Sequence, residues 1–193
     1  MLWAKKSKTF KESSFLLCFQ TDDPVIRYDE HPFYRQFTSA GLKAVDFVFM
    51  EKDQLVLLEL KNYGQYAPKA LYPPADELAY TLVEKMRGSS TGLAAIFAYF
   101  RTRNPKRLLF KLLDRMPFFI QRQHPWYLKA KAFETDQWFF LLVIGFPKGE
   151  SSGVKQDYCD LLTKTWQSLS DVPLQIIVED SQETFEALDL KIL

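Results

Sequence analysis

The sequence predicts an α/β fold in which helices flank a mixed central sheet. Three observations carry that expectation. Residues 43–63 hold two apolar, β-branched runs, 44–50 and 55–60, around the polar break Glu51-Lys52-Asp53-Gln54, which is a hairpin signature. Both faces of that hairpin are apolar, as in a sheet covered on both sides. The order of elements is helix, hairpin, helix, strand, helix, strand, so the later strands are joined by crossover helices.

Taken in order, residues 1–14 are polar and read as loose chain or a first strand. Residues 15–20 form a strand, ended by Thr21-Asp22-Asp23-Pro24. Residues 29–39 suit a short helix, with Pro32 near its first turn and Gly41 as its stop. After the hairpin, 62–74 is a loop rich in Tyr, Gly and Pro. Asp76 can cap a helix over 77–87. The small residues Gly88-Ser89-Ser90-Thr91-Gly92 either break that helix or lie within it before 93–101 resumes. Pro105 opens an amphipathic segment, 106–115, and prolines make 116–126 irregular. Strands are expected at 127–133 and 137–146 around a turn at Glu134-Thr135-Asp136. A loop (145–153), a helix (154–169), a strand (174–178) and a last short helix (181–188) complete the chain.

The 193 residues suit one domain, spanning 1–193, with no linker or internal repeat. A hydrophobic fraction of 47% with 17 Phe argues for a packed core and against disorder. Two cysteines, Cys18 and Cys159, are no disulfide framework, so a reducing, cytoplasmic location is expected. The apolar runs at 15–19 and 138–146 are too short for a signal peptide or a bilayer span, and no membrane partner is expected.

A net charge of +1 hides a basic middle: residues 101–131 carry nine Lys/Arg against Asp114 alone. That block is either a polyanion surface or a solvated helix face. His31 and His124 each precede a proline and lack partner spacing, so they read as loop residues, not zinc ligands. There is no G-x-S-x-G elbow and no phosphate-binding Gly-rich loop.

Charged residues inside the hairpin need a partner or a task. With the turn centred between Lys52 and Asp53, Met50 pairs with Leu55, Val48 with Leu57, Asp46 with Glu59, and Ala44 with Lys61. Residues two apart share a face, so all eight lie on one side of the sheet. Asp46 and Glu59 then face each other with Cβ atoms roughly 5 Å apart, where like charges repel. A divalent cation such as Mg²⁺ is the economical remedy. Lys61 lies one step along the same face. A structural ion-pair cluster is the competing reading of these three side chains.

Asp46, twelve intervening residues, then Glu59-Leu60-Lys61 resembles the D–(D/E)xK motif of the PD-(D/E)xK nuclease superfamily. The element order resembles its restriction-endonuclease-like αβββαβ core. Leu58-Glu59-Leu60-Lys61-Asn62-Tyr63, followed by Gly64, is most similar to the nuclease-related (NERD) and Mrr-like branches. The resemblance departs from the family pattern in two places. Val45 stands where proline often precedes the first Asp, and the Gln-x-x-x-Tyr motif of the RecB branch is absent from 77–100.

The resemblance implies a metal-dependent nuclease hydrolysing phosphodiester bonds in DNA, with RNA left open. Asp46, Glu59 and Lys61 would be catalytic. Asp46, Glu59 and the Leu60 backbone carbonyl would hold Mg²⁺ or Mn²⁺, joined by an upstream acid, Glu30 or Asp29, with Glu12 an outsider. Lys61 would orient the attacking water and offset developing charge. Nucleic acid would be held by Asn62, Tyr63, Lys85, Arg87, Arg101, Arg103, Lys106 and Arg107, with Tyr66 and Tyr72 able to stack on bases. Two further expectations stay open: a homodimer or a subunit of a larger complex, and a catalytically inactive subunit that binds nucleic acid or a protein partner.

Overall fold

The computed structural model of the chain describes residues 7–12, 15–20, 23–36, 41–64, 72–103, 105–121, 124–178 and 188–192. Strands β1 (Ser7–Glu12), β2 (Phe15–Gln20) and β3 (Ile26–Arg27) come first, followed by the four-residue helix α1 (Pro32–Arg35). The hairpin is β4 (Phe47–Glu51) and β5 (Gln54–Asn62), and it leads to the long helix α2 (Ala75–Thr102). Three shorter helices follow: α3 (Lys106–Leu113), α4 (Phe118–Gln121) and α5 (Tyr127–Glu134). The chain closes with β6 (Trp138–Gly145), α6 (Ser152–Leu169), β7 (Leu174–Val178) and β8 (Leu188–Ile192).

The central sheet is five-stranded and mixed, in the order β3-β4-β5-β6-β7. Its first three strands are antiparallel, while β5-β6 and β6-β7 are parallel. Helices make both parallel crossovers, as parallel neighbours require. A second sheet, β1-β2-β8, is antiparallel throughout.

The hairpin register is the one expected: Met50 pairs with Leu55 and Val48 with Leu57. Glu51 pairs with Gln54, which leaves a two-residue turn of Lys52 and Asp53, with Lys52 at φ +56°. Alternation then divides the side chains between two cores. Val48, Met50, Leu55 and Leu57 join Phe140, Leu142 and Ile144 beneath the helices, against Leu82, Met86 and Trp166. Phe47, Phe49, Val56, Leu58 and Leu60 face Phe15, Leu17 and Phe19 of β2. Each such fully buried side chain contributes roughly 1.5–3 kcal/mol. The sheet is thus covered on both faces, by helices on one and by the second sheet on the other.

Several sequence expectations are corrected. Residues 127–133 are not a strand but the helix α5. Leu128, Lys129, Ala130, Lys131 and Ala132 are strong helix formers, and the apparent two-residue alternation of YLKAKAF arises because the helix buries Tyr127, Lys129, Ala130 and Ala132 together. Asp76 is not an N-cap. Helix α2 starts at Ala75 behind Pro74, and Asp76 and Glu77 occupy its first turn, where their charge complements the dipole. The short helix at 29–39 is confined, among described residues, to α1. Most of the helix expected at 181–188 lies outside the described residues, but Leu188 begins strand β8. The first strand, left open above, is β1, and β3 was not foreseen.

The small-residue stretch lies inside α2, which runs unbroken for 28 residues, about 42 Å. A Cβ on Gly88 would stand 2.1 Å from the Lys43 carbonyl oxygen, and one on Gly92 would stand 2.5 Å from the Tyr28 hydroxyl. Only glycine allows the helix to come this close to the chain that leads into β4. Between them, the Ser89 hydroxyl accepts the Val45 amide at 2.9 Å and the Ser89 carbonyl accepts the Tyr28 hydroxyl.

Candidate functional site

Asp46 is the last residue before β4, and its backbone carbonyl accepts the Tyr28 amide at 2.8 Å. Its side chain turns toward β5, where Oδ2 accepts the Leu60 amide at 2.8 Å. Glu59 follows Leu57 on the face beneath α2, and its side chain is fully buried. One oxygen, Oε1, receives two ammonium groups: Lys61 at 2.7 Å and Lys85 of α2 at 2.6 Å. Lys85 also lies 3.9 Å from Asp46 Oδ1, so it bridges the two carboxylates. The other oxygen, Glu59 Oε2, is buried and takes no hydrogen bond.

Burial, and after it the facing Glu59 charge, push the Asp46 carboxyl up to about 7; Lys85, the Leu60 amide and Lys61 pull the other way. A buried acceptor without a donor is costly. The site therefore holds an orphaned carboxylate oxygen and a carboxyl held near neutrality. Both are what a hard divalent ion with oxygen ligands would relieve.

Asp46, Glu59, Lys61 and Lys85 come together. Lys85, expected among the phosphate contacts, pairs with Glu59 at the centre of the site. Leu60 reaches Asp46 through its amide. Glu30 is 3.1 Å from Arg27, which also binds Glu12. Asp29 is the upstream acid whose carboxyl feels the Lys85 charge; burial and the Glu30 charge raise it. Among the described residues, His, Cys, Asp and Glu do not converge in a group of three or more fit to hold a metal ion.

No family model, curated protein or solved structure matches this chain.

The remaining expected contacts have other partners. Asn62 Oδ1 accepts the Gly64 amide at 2.9 Å and turns the chain out of β5. Tyr63 packs against Tyr72, and Tyr72 against Phe146 and Tyr158. Tyr66 lies outside the described residues. Arg87 donates to the Leu169 carbonyl, Arg101 pairs with Glu134, and Lys106 sits over the Phe100 ring. Arg103 is the C-cap of α2, 18 residues beyond Lys85 and so about 27 Å along the helix.

Arg101, Arg107, Lys111 and Lys131 instead line a separate cleft of about 520 Å³ with Phe110, Asp114 and Tyr127. Lys129, counted in the basic block, is fully buried against Asp23 and contributes nothing to that surface. Each histidine accepts the amide two residues on through Nδ1, His31 from Phe33 and His124 from Trp126. No described helix is long and apolar enough to cross a membrane.

Proposed function

We propose that this chain is a metal-dependent nuclease that hydrolyses phosphodiester bonds in DNA through Asp46, Glu59 and Lys61. One observation carries the reading: a fully buried glutamate faces an aspartate across a hairpin, and one of its oxygens has no hydrogen bond. Asp46 and Glu59 would hold Mg²⁺ or Mn²⁺. When bound, such an ion supplies Lewis acidity and a more acidic water. Lys61, 2.7 Å from Glu59 Oε1 and partly open to solvent, would orient a water and offset charge growing on a phosphate oxygen. The resemblance of the D…ExK spacing to PD-(D/E)xK nucleases supports this assignment, as does the mixed sheet with its crossover helices.

The test is incubation of plasmid and linear DNA with the purified protein in Mg²⁺ or Mn²⁺. Cleavage is expected, and Asp46→Ala and Lys61→Ala should each abolish it. Cleavage unaffected by both substitutions would sink the reading.

A second reading, a catalytically inactive subunit that binds nucleic acid or a protein partner, is favoured by Lys85. Two ammonium groups already balance the two carboxylates. DNA binding without cleavage in any metal would select it.

A further inference from the structure

The two carboxylates of the site face two ammonium groups, and the two lysines are not equivalent. Lys61 rises from β5, two residues from Glu59 on the same face, and pairs with Oε1. Lys85 arrives from α2 and lies between the carboxylates, 2.6 Å from Glu59 Oε1 and 3.9 Å from Asp46 Oδ1. We propose that Lys85 is a tethered cation that a divalent ion must displace, so that divalent-ion binding and phosphate binding to this chain are cooperative. The proposal rests on the reading of Asp46 and Glu59 as an ion site.

Charge balance supplies the first step. With both carboxylates ionised, as a bound ion requires, they and the two lysines sum to zero, and a divalent ion added to that set leaves a surplus of two positive charges beside a fully buried Glu59. At a carboxylate shut off from solvent, the repulsion between ion and ammonium is weakly screened. Removing Lys85 from the set cuts the surplus by one.

Lys85 also has somewhere to go. Its side chain is 20% exposed, so it has a route to solvent. Exposed Asp29 already feels its charge from the solvent side. A phosphodiester arriving at the mouth of the site offers it a seat, because it pairs with the ammonium and brings its own negative charge. Whatever draws Lys85 away from Glu59 helps the ion, and by reciprocity the ion helps the phosphate.

Calorimetric titration of the full chain with Ca²⁺ tests this, alone and with a synthetic DNA duplex present. The duplex should tighten Ca²⁺ binding to the unaltered protein by about tenfold, within the usual range of coupling between sites. Lys85→Met should bind Ca²⁺ about tenfold tighter without DNA and lose most of the gain from the duplex. Ca²⁺ affinity unchanged or weakened in Lys85→Met overturns the proposal while leaving the ion site intact. No Ca²⁺ or Mn²⁺ binding by either protein overturns both, and marks the cluster as a structural ion pair. If Lys85→Met does not fold by circular dichroism, Lys85→Gln takes its place. The duplex effect on the unaltered protein needs no substitution, and its absence also counts against the proposal.

Discussion

The Ser89 hydroxyl of α2 accepts the Val45 amide at 2.9 Å, one residue before Asp46. The middle of the long helix therefore holds the strand entry that presents the first carboxylate. Four residues earlier on the same helix, Lys85 reaches both carboxylates. A single face of α2 thus sets the backbone of the site and supplies one of its charges.

Gly88 is the point of closest approach. Alanine is a better helix former than glycine by about 1 kcal/mol, so Gly88→Ala would stabilise an isolated helix. Here its Cβ would meet the Lys43 carbonyl at 2.1 Å, and backbone gives way poorly. We expect a net loss of roughly 2 kcal/mol or more, read by urea denaturation. A gain in stability would refute the contact.

Asp46 gives stability a pH dependence whose sign can be worked out. The folded carboxyl takes up its proton near 7, against 3.8 as the ordinary value. Between those values the folded chain binds more protons than the unfolded one, so stability is highest below about pH 4 as far as this group is concerned. It falls as pH rises toward 7 by about 2–4 kcal/mol, at 1.36 kcal/mol per unit with some discount for partial exposure. Asp46→Asn should flatten that slope. Denaturation midpoints at pH 5 and pH 8 for both proteins make the comparison.

Lys129 and Asp23 form a buried pair, with side chains 0% and 2% exposed. Burial pulls the Lys129 ammonium down and Asp23 holds it up. Lys129→Met leaves a carboxylate buried without its cation and should cost about 3–5 kcal/mol. The double variant with Asp23→Leu should recover most of the loss, because apolar replacements of both partners remove the desolvation penalty. Thermal melts of the two variants side by side decide it.

Lys61 should separate chemistry from ion binding. On the proposed function, Lys61→Met lowers DNA cleavage by about a hundredfold or more, the scale of losing one charge-stabilising donor. Mn²⁺ affinity, followed by electron paramagnetic resonance, should hold or tighten, because a positive neighbour has gone. Weaker Mn²⁺ binding would mean that Lys61 supports the carboxylates and not the reaction.

Much of the site was legible because a two-residue turn and strict alternation leave a hairpin little freedom. Lys52-Asp53 marked the turn, parity placed Asp46, Glu59 and Lys61 on one face, and the structure has that register. The seat of Lys85 was not legible. It depends on how closely α2 packs on residues 43–45, and the one signal for that, the Gly88–Gly92 run of small residues, read equally well as a helix break. The helix at Tyr127–Glu134 reads as a strand in sequence because the five residues 128–132, Leu-Lys-Ala-Lys-Ala, alternate apolar and polar. Strand β8 pairs with β2 across nearly the whole chain, and no local pattern encodes a partner that distant.

The place of β5 in the sheet sets the two carboxylates apart. Glu59 stands on the third of five strands, with β4 on one side and β6 on the other. Asp46 hangs from the entry to β4, and its carbonyl is tied to Tyr28, the residue after the two-residue edge strand β3. Edges fray before centres. Peeling of β3 would loosen Asp46 while Glu59 stayed fixed. On the proposed function the pair would act as an anvil and an adjustable jaw, with the depth of a cation set by the sheet and its clearance set by the rim.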